Sequence, residues 1–304
     1  MSFPVATGVP QLSGIISPTI WSGKLLVKFY EASVIPSISN TEYEGDIKDM
    51  GDQVEIRTTP DITIRNYVKG QTLTVERPTP NVQSLLIDQG KYWNFVADDV
   101  DYHQADYSFV DDWTKDASEQ VKIVVDTDIL AALNGQASAS NQGATAGVRS
   151  AGFNLGTTGT GLQITKSTVL DLLVDCGSVL DEQDVPESDR WIILPPWVCG
   201  MIKKSDLKDA SLAGDGTSIM RNGRVGMIDR FTIYMSNLLE TVTDTTLHWN
   251  IPFGHISALT FAGQFVKNEN LRAESTFGTL YRGLKVYGYK VVKPEGMGIV
   301  YGKR

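Results

Sequence analysis

The chain has 304 residues and a formal net charge of −9. Its length is enough to bury a substantial core in one elaborate domain or two ordinary ones, which argues against disorder throughout. The acidic balance argues against broad, sequence-independent nucleic-acid binding, because such binding depends on the neutralisation of phosphates by Lys and Arg.

The cysteines and the first residues indicate the cellular compartment. The two cysteines, Cys176 and Cys199, lie in apolar surroundings and are predicted to be small buried hydrophobes, so a disulfide framework or a zinc cluster is not expected. Residues 1–17 lack the basic segment and the apolar core of a signal peptide. No apolar run approaches the roughly 20 residues of a membrane helix. We therefore expect a cytosolic protein with no membrane partner.

Residues 1–45 have a mixed pattern. Prolines interrupt the beginning, while Trp21 to Ile35 carries enough apolar residues for a short helix or an extended arm. Two interpretations stay open at this point. The segment either packs on its own domain or forms an arm that wraps around a neighbouring subunit.

From Gly51 to Asp98 the apolar residues recur with a period of two, which predicts strands. We call this segment the β excursion. A thin hairpin with one apolar face cannot bury that face by itself, so another surface is expected to cover it. Turns are indicated at Thr59-Pro60-Asp61, Lys69-Gly70 and Asp88-Gln89-Gly90. The strands are expected near 53–58, 61–67, 71–77, 82–87 and 91–96.

The predicted turn at the far end of the β excursion carries Lys69. This lysine has two interpretations: a reactive or salt-bridging contact with another subunit, or a charge that only keeps an exposed hairpin soluble. Arg57, Arg65 and Tyr67 lie on the same excursion. Together with Lys69 they are our candidates for contacts between subunits.

The most regular helix of the sequence is predicted from Ser108 to Gly135. Ser108 has the side-chain oxygen of an N-cap, Asp111 stands at the N3 position, and Asn134-Gly135 tolerates the left-handed conformation that closes helices. Apolar residues at three- and four-residue steps predict one buried face, with Asp126 among the polar residues off it. The predicted apolar stripe consists of Val110, Trp113, Ala117, Val121, Val124, Val125, Ile129 and Ala132.

The remaining chain interleaves helices and strands without the steady alternation of a parallel sheet, which favours the α+β class. Residues 136–161 form a loop rich in small residues, and Ser167 can cap the helix that follows it. Pro195-Pro196 is well placed to open a helix that ends at Lys204. Strands are predicted at Trp191 to Leu194, Phe231 to Met235, Leu247 to Ile251, Ser257 to Phe261 and Tyr281 to Val292.

Two clusters look like binding sites until their spacing is checked. Gly156 to Gly161 has no Lys after its last Gly and follows a polar loop, so it fits neither the P-loop nor the dinucleotide fingerprint. A calcium loop starting at Asp99 would need a glycine where Gln104 stands and a glutamate where Val110 stands. We interpret the acidic cluster as a solvated face formed by Asp98, Asp99, Asp101 and Asp106.

No catalytic set stands out. His103, His248 and His255 are dispersed, and none belongs to a metal-binding helix motif. No Gly-x-Ser-x-Gly motif singles out a nucleophile. We therefore expect no enzymatic activity, no cofactor and no metal.

The order of the parts is more informative than any single motif. An arm, a β excursion, a long helix, a Gly-rich loop and a mixed domain that closes with strands follow one another. This succession resembles the major capsid proteins of tailed bacteriophages, which have the Hong Kong 97-like fold. The local motifs that carry the resemblance are Lys91-Tyr92-Trp93-Asn94-Phe95 followed by Asp98-Asp99, Arg190 to Val198 with Pro195-Pro196-Trp197, Arg221-Asn222-Gly223 through Phe231 to Ser236-Asn237, and Tyr281 to Gly288.

The resemblance implies a structural virion protein that self-assembles into hexamers and pentamers of an icosahedral head enclosing double-stranded DNA. In that family the extended loop reaches a neighbouring subunit, and the long helix is the spine of the peripheral domain. The implied parts are an N-terminal arm at 1–45, an extended β loop at 46–97, a peripheral domain at 98–150 and 262–304, and an axial domain at 151–261.

The resemblance also implies partners. They are other copies of the chain, a portal and decoration proteins, while packaged DNA is contacted only indirectly. Unlike the type member, this sequence has no long charged helical segment ahead of the arm, so we expect a separately encoded scaffolding protein. Two alternatives remain open, namely an encapsulin-like compartment shell and a hydrolase with a β-rich lid.

Overall fold

The structure is a computed structural model that describes residues 30–42, 53–60, 62–104, 109–205, 226–243, 246–274 and 276–304. The helices are α1 (Ile35–Ile38), α2 (Asp99–Gln104), α3 (Phe109–Leu133), α4 (Val169–Glu182) and α5 (Pro196–Lys204). The strands are β1 (Gln53–Arg57), β2 (Val82–Leu86), β3 (Gln89–Asp98), β4 (Leu162–Gln163), β5 (Arg190–Leu194), β6 (Met227–Ile228), β7 (Phe231–Met235), β8 (Thr241–Thr243), β9 (Leu247–His255), β10 (Leu259–Arg272), β11 (Gly278–Val291) and β12 (Met297–Lys303).

These strands form three sheets. A two-stranded antiparallel sheet joins β1 and β2, and a three-stranded antiparallel sheet has the order β10-β11-β3. The largest sheet has seven strands in the order β4-β12-β9-β5-β7-β6, with β8 paired to β9. Its pairings are mixed, because β5 runs parallel to β7 and antiparallel to β9. The architecture is therefore α+β, as predicted.

The main core lies around the seven-stranded sheet. All five residues of β5 are buried, which matches the continuous apolar run typical of a strand covered on both faces. The core also takes in buried residues of α1, of α4 and of the carboxyl-terminal half of α3. Leu130 and Leu133 of α3 are 1% and 0% exposed. Each such side chain contributes about 1.5–3 kcal/mol through burial.

The long helix α3 connects this core to the three-stranded sheet. Its first turns pack on β3 and β11, where the ring of Phe95 lies 5.7 Å from that of Trp113 and 5.4 Å from that of Tyr281. Phe109 and Val110 form a small buried cluster with Ala97 there. The predicted helix is thus confirmed as 25 residues that span two sheets.

The predictions for the two ends of α3 have different outcomes. Ser108, the predicted N-cap, lies outside the described residues. The helix ends at Leu133, but neither Asn134 nor Gly135 has a positive φ, so the expected left-handed closure is wrong. The last turn is closed instead by a hydrogen bond from the Gln136 N–H to the Leu133 carbonyl, at 3.0 Å.

The predicted polar face of α3 is wrong at Asp126. It was placed off the apolar stripe, yet it is only 2% exposed. Its carboxylate accepts the N–H of Val34 at 2.8 Å and the hydroxyl of Ser33 at 3.0 Å. Burial raises the pKa of Asp126, although these hydrogen bonds act in the opposite direction. The helix periodicity could not reveal this, because the segment that covers Asp126 comes from about 90 residues earlier.

The described part of the N-terminal segment packs on its own subunit. Ile35 and Ile38 of α1 are buried in the main core. Asn40 forms a parallel bridge to Thr260 of β10. Residues 1–29, including most of the predicted helix or arm at Trp21 to Ile35, lie outside the described residues.

Of the other predictions, some are confirmed, some are wrong and some lie outside the described residues. The strand at β5, the helix α5 and the two buried, unpaired cysteines are confirmed. The Ser167 cap is wrong, because Thr168 is the N-cap of α4 and makes no side-chain cap. Strand β12 was not predicted, and the motif Arg221-Asn222-Gly223 lies outside the described residues. Within the described residues, no helix has the length and apolar composition to cross a membrane.

Candidate functional site

The base of the β excursion is anchored on its own subunit. Strands β1 and β2 pair in one register, and Ile56, Leu85 and Ile87 are buried against Ala262 and Val292. For this part of the excursion, the surface that covers the apolar face therefore belongs to the same chain. Only the outer part of the hairpin extends beyond that support.

We call residues 62–77 the excursion tip. The strands predicted at 61–67 and 71–77 are wrong for this structure, since no residue described there is in a strand. The predicted turn at Lys69-Gly70 is confirmed, because Gly70 has a φ of 89° and the Gln71 N–H bonds the Val68 carbonyl at 3.1 Å. The turn therefore joins the two legs, but the legs do not pair as strands in the rest of the tip.

Side chains hold the legs together in place of backbone pairing. The Glu76 carboxylate accepts the guanidinium of Arg65 at 2.6 Å and the N–H of Thr63 at 3.1 Å. The hydrogen bond from Arg65 holds the pKa of Glu76 below its usual value. A period-two pattern predicts strand-like residues but cannot reveal that a carboxylate will take a backbone donor of the opposite leg.

The excursion tip exposes an unusual amount of apolar surface. The exposed fraction is 90% for Ile64 and 87% for Val75. Such contiguous patches usually mark interaction sites. The other large apolar side chains of the tip, each at least 63% exposed, are Ile62, Tyr67, Val68 and Leu73.

The structure places three of the four predicted contact residues on this tip. Tyr67 and Arg65 line the groove between the legs, and Lys69 lies in the turn. Arg57 is exposed at the end of β1, nearer the base. The four side chains therefore follow the excursion from base to tip and do not form one cluster.

A second exposed surface was not predicted. It is the face of the three-stranded sheet that points away from α3, where Tyr92 is 79% exposed and Val96 is 49% exposed. Arg282 donates from Nε to Glu269 at 2.9 Å on the same face. The alternation of Tyr92 and Val96 with buried-side Trp93 and Phe95 was the signal available in the sequence.

The described residues contain no group of His, Cys, Asp and Glu that could hold a metal ion. His248 and His255 are buried in separate places, and His103 is exposed. Asp99 of the acidic cluster pairs with Arg272 at 2.8 Å, while Asp106 lies outside the described residues. In the described part of the chain, these residues do not come together as a catalytic set.

Comparison with protein families decides what these surfaces belong to. The model of the family described as phage capsid protein matches residues 83–300. The chain belongs to the phage capsid protein family. This capsid protein is a structural component of a phage head shell, and neither the encapsulin-like shell nor the lidded hydrolase is favoured.

Solved structures agree with this membership. A chain of Mycobacterium phage Che8 is 25% identical, with a TM-score of 0.78, and the match covers 94% of this capsid protein and 97% of that chain. A chain of the capsid of cyanophage P-SCSP1u is 16% identical over 95% and 94%, with a TM-score of 0.73. A chain of Gordonia phage Cozz is 14% identical over 100% and 98%, with a TM-score of 0.66. The Hong Kong 97-like capsid fold is confirmed. No curated protein sequence matches the chain.

Proposed function

We propose that copies of this capsid protein assemble as hexamers and pentamers into an icosahedral head that encloses double-stranded DNA. The observation that carries this proposal is the excursion tip, whose large apolar side chains are 63–90% exposed in the isolated subunit. A neighbouring subunit can bury this surface. Repeated contacts between unlike surfaces generate rings when the rotation closes, and rings of two sizes can build a closed shell.

We propose the following division of the subunit. Residues 46–97 act as the extended loop, and residues 98–150 with 262–304 act as the peripheral domain around α3. Residues 151–261 act as the axial domain, and residues 1–45 act as the arm. The support for this division is that α3 packs on the three-stranded sheet at one end and enters the core of the seven-stranded sheet at the other.

The proposed contact residues would act around the apolar surface of the tip. Tyr67 supplies an amphipathic ring, and it is 70% exposed. Arg57, Arg65 and Lys69 supply cationic groups to carboxylates of the neighbour, which favours one docking register over others. The Arg65 guanidinium keeps its Glu76 partner in the free subunit, so docking either retains this pair or exchanges it.

The proposed partners are a separate scaffolding protein, a portal and decoration proteins. Assembly is proposed to take place in the host cytoplasm, without a membrane. Packaged DNA is contacted only indirectly, which is consistent with the net charge of −9. We propose no enzymatic activity and no cofactor for the subunit.

The test is to purify the protein alone and together with the candidate scaffolding protein encoded by the same phage, and to compare both by electron microscopy and sedimentation. We expect aberrant or polydisperse particles from the protein alone and uniform shells from the co-expressed pair. A strictly monomeric protein in both preparations would refute the shell. Uniform closed shells from the protein alone would refute only the need for a scaffold.

A further inference from the structure

A row of polar side chains crosses one face of the seven-stranded sheet. Asn250 of β9 lies directly opposite Tyr301 of β12. On the other side of β9, the Asn250 N–H bonds the carbonyl of Glu240 at 3.0 Å, one residue before β8 begins. Directly opposed residues of neighbouring strands share a face of a sheet, so these three side chains stand side by side. Burial and then the charge of Glu240 raise the pKa of Tyr301, which agrees with this arrangement.

The carboxyl-terminal end of α3 meets this row. Asn134 directly follows Leu133, the last residue of the helix. The carboxamide nitrogen of Asn134 donates to Oε2 of Glu240. The carboxamide nitrogen of Asn250 donates to the same oxygen at 2.8 Å. One carboxylate oxygen therefore joins the end of the long helix to the middle of the largest sheet.

Both carboxamide oxygens of this cluster are buried acceptors without a donor. Asn250 is 4% exposed, and its Oδ1 atom has no hydrogen-bond partner among the described residues. The same is true of Oδ1 of Asn134. Most buried polar atoms of folded proteins have a partner, and leaving one unpaired is destabilising. These two oxygens therefore point to a bound species that the chain itself does not supply.

The cluster also carries a charge that is not neutralised. Glu240 is half-buried, and in the described part of the chain its carboxylate bonds two neutral carboxamides and forms no ion pair. Removing a charge from water without a counterion is unfavourable. A water molecule could donate to the unpaired oxygens, but it would leave this charge unchanged. A cation satisfies the oxygens and the charge together.

We infer that Glu240, Asn134 and Asn250 form a binding site for an alkali-metal cation, Na⁺ or K⁺. Hard cations prefer oxygen ligands. Glu240 is the only charged group of the three, so a monovalent cation balances the site, whereas a divalent cation would leave an excess of positive charge. The half-exposed side of Glu240 leaves room for water to complete the coordination.

Asparagine suits both states of this site. Turning a carboxamide about its last bond exchanges its nitrogen with its oxygen at nearly the same place. Without the cation, the nitrogens of Asn134 and Asn250 donate to Glu240. With the cation, the turned carboxamides present their oxygens beside the same carboxylate. The bound ion would tie α3 to β9, and it would be an exception to the expectation of no metal.

Thermal unfolding of the subunit at constant ionic strength tests the site. The Tm is measured in KCl, in NaCl and in choline chloride, because choline is too large to lie among three closely spaced oxygens. A ligand that binds only the folded state raises the Tm. We expect K⁺ or Na⁺ to raise it by about 2 °C or more over choline, in a saturable manner. Equal Tm values in all three salts would overturn the inference.

A matched pair of variants locates the effect. Glu240→Gln keeps the size of the side chain and removes the charge that the cation balances. Glu55→Gln removes an exposed carboxylate of β1 and is the control. We expect the first variant to lose most of the salt-specific rise in Tm and the second to keep it. Equal rises in both variants would place the cation elsewhere and contradict the site.

Rubidium gives a direct measurement on the natural protein, which is decisive even where Glu240→Gln does not fold. Rb⁺ replaces alkali cations and scatters anomalously, so its position can be identified in crystals grown in RbCl. We expect an anomalous peak between the carboxylate of Glu240 and the carboxamides of Asn134 and Asn250. A solvent atom there without anomalous signal would identify a buried water only and would overturn the inference. These measurements need the folded subunit and no shell, so their outcome is independent of the proposed assembly.

Discussion

Arg190 holds the loop between α4 and β5 together. Its guanidinium is buried and donates to the carbonyls of Gly177 at 3.2 Å, Val185 at 2.6 Å and Pro186 at 2.8 Å. It also bonds Asp181 at 2.8 Å. Burial alone would raise the pKa of Asp181, but hydrogen bonds from Arg190 and a second arginine lower it below its usual value. The planar fork of arginine, unlike the point charge of lysine, matches this set of acceptors.

Replacing this side chain should destabilise the subunit strongly. We expect Arg190→Ala to lower the free energy of unfolding by at least about 3 kcal/mol, because several buried acceptors lose a charged donor. The matched control is Arg149→Ala, whose ion pair with Asp184 is exposed and should change stability by less than about 1 kcal/mol. Urea unfolding followed by circular dichroism measures both. Equal effects would contradict the role of Arg190.

Glu182 provides a pH-dependent test at the same scale. Its carboxylate accepts the N–H of Arg149 at 2.8 Å and that of Ser150 at 3.1 Å. A hydrogen bond from the Ser150 side chain, followed by these N–H groups, lowers the pKa of Glu182. A group whose folded-state pKa is depressed contributes stability above its unfolded pKa and loses it as the pH falls through the folded value.

We therefore expect Glu182→Gln to lower the Tm relative to the natural protein at pH 7. The difference should shrink as the pH falls through and below the ordinary glutamate range, because the carboxyl group then becomes protonated in both states. The control is Glu55→Gln, which changes an exposed side chain of β1 and should alter the Tm little at any of these pH values. A Tm difference that stays constant from pH 7 to pH 3 would be inconsistent with this explanation.

Helix α3 is the element that connects the two large sheets, so its continuity should matter more than any one of its contacts. Val121→Pro removes a backbone donor in the middle of the helix and clashes with the preceding turn, which costs about 3 kcal/mol or more. We expect this variant to be insoluble or unable to assemble. Val124→Ala, at a position that is 43% exposed, is the control and should change stability by about 0.5 kcal/mol or less. Soluble, assembly-competent Val121→Pro would show that α3 is not the spine of the subunit.

At the scale of elements, the sequence predicted what depends on local periodicity and missed what depends on distant partners. The existence of α3 follows from its apolar steps, but Asp126 is buried by a segment that no helical period can indicate. The stripe also missed Leu130, which the main core buries. In the excursion tip, the apolar residues alternate as in a strand, yet the two legs do not pair as strands. The Glu76 side chain instead accepts the N–H of Thr63.

At the scale of the whole molecule, the excursion should be needed for assembly and dispensable for folding. We expect a variant shortened from Tyr67 to Gly70 to keep the unfolding midpoint of the natural subunit, because the buried contacts of the β1-β2 base remain. The same variant should form few particles or none. Unfolding curves and sedimentation measure the two properties separately. Loss of folding together with normal assembly of the remaining soluble protein would contradict the proposed role.

The candidate site itself was only partly predictable. The alternating residues and the turn indicated an exposed hairpin, and Lys69 and Tyr67 do lie near its end. The buried base was not predictable, because Ala262 and Val292, which cover it, are far away in the sequence. The alternation along β3 indicated which side of that strand is exposed, but the full sheet face at Tyr92 was missed, because its neighbours on β10 and β11 are brought together only by the fold.

The position of β12 has a consequence for the timing of biosynthesis. This strand lies between β4 and β9 in the largest sheet, although it is made after all the strands it joins. A nascent chain that stops before Met297 leaves β9 with an unpaired edge and β4 without a neighbour. The subunit therefore completes its main sheet only after residue 303 has left the ribosome. A polypeptide cut short by premature termination before Met297 therefore lacks one strand from the interior of its main sheet.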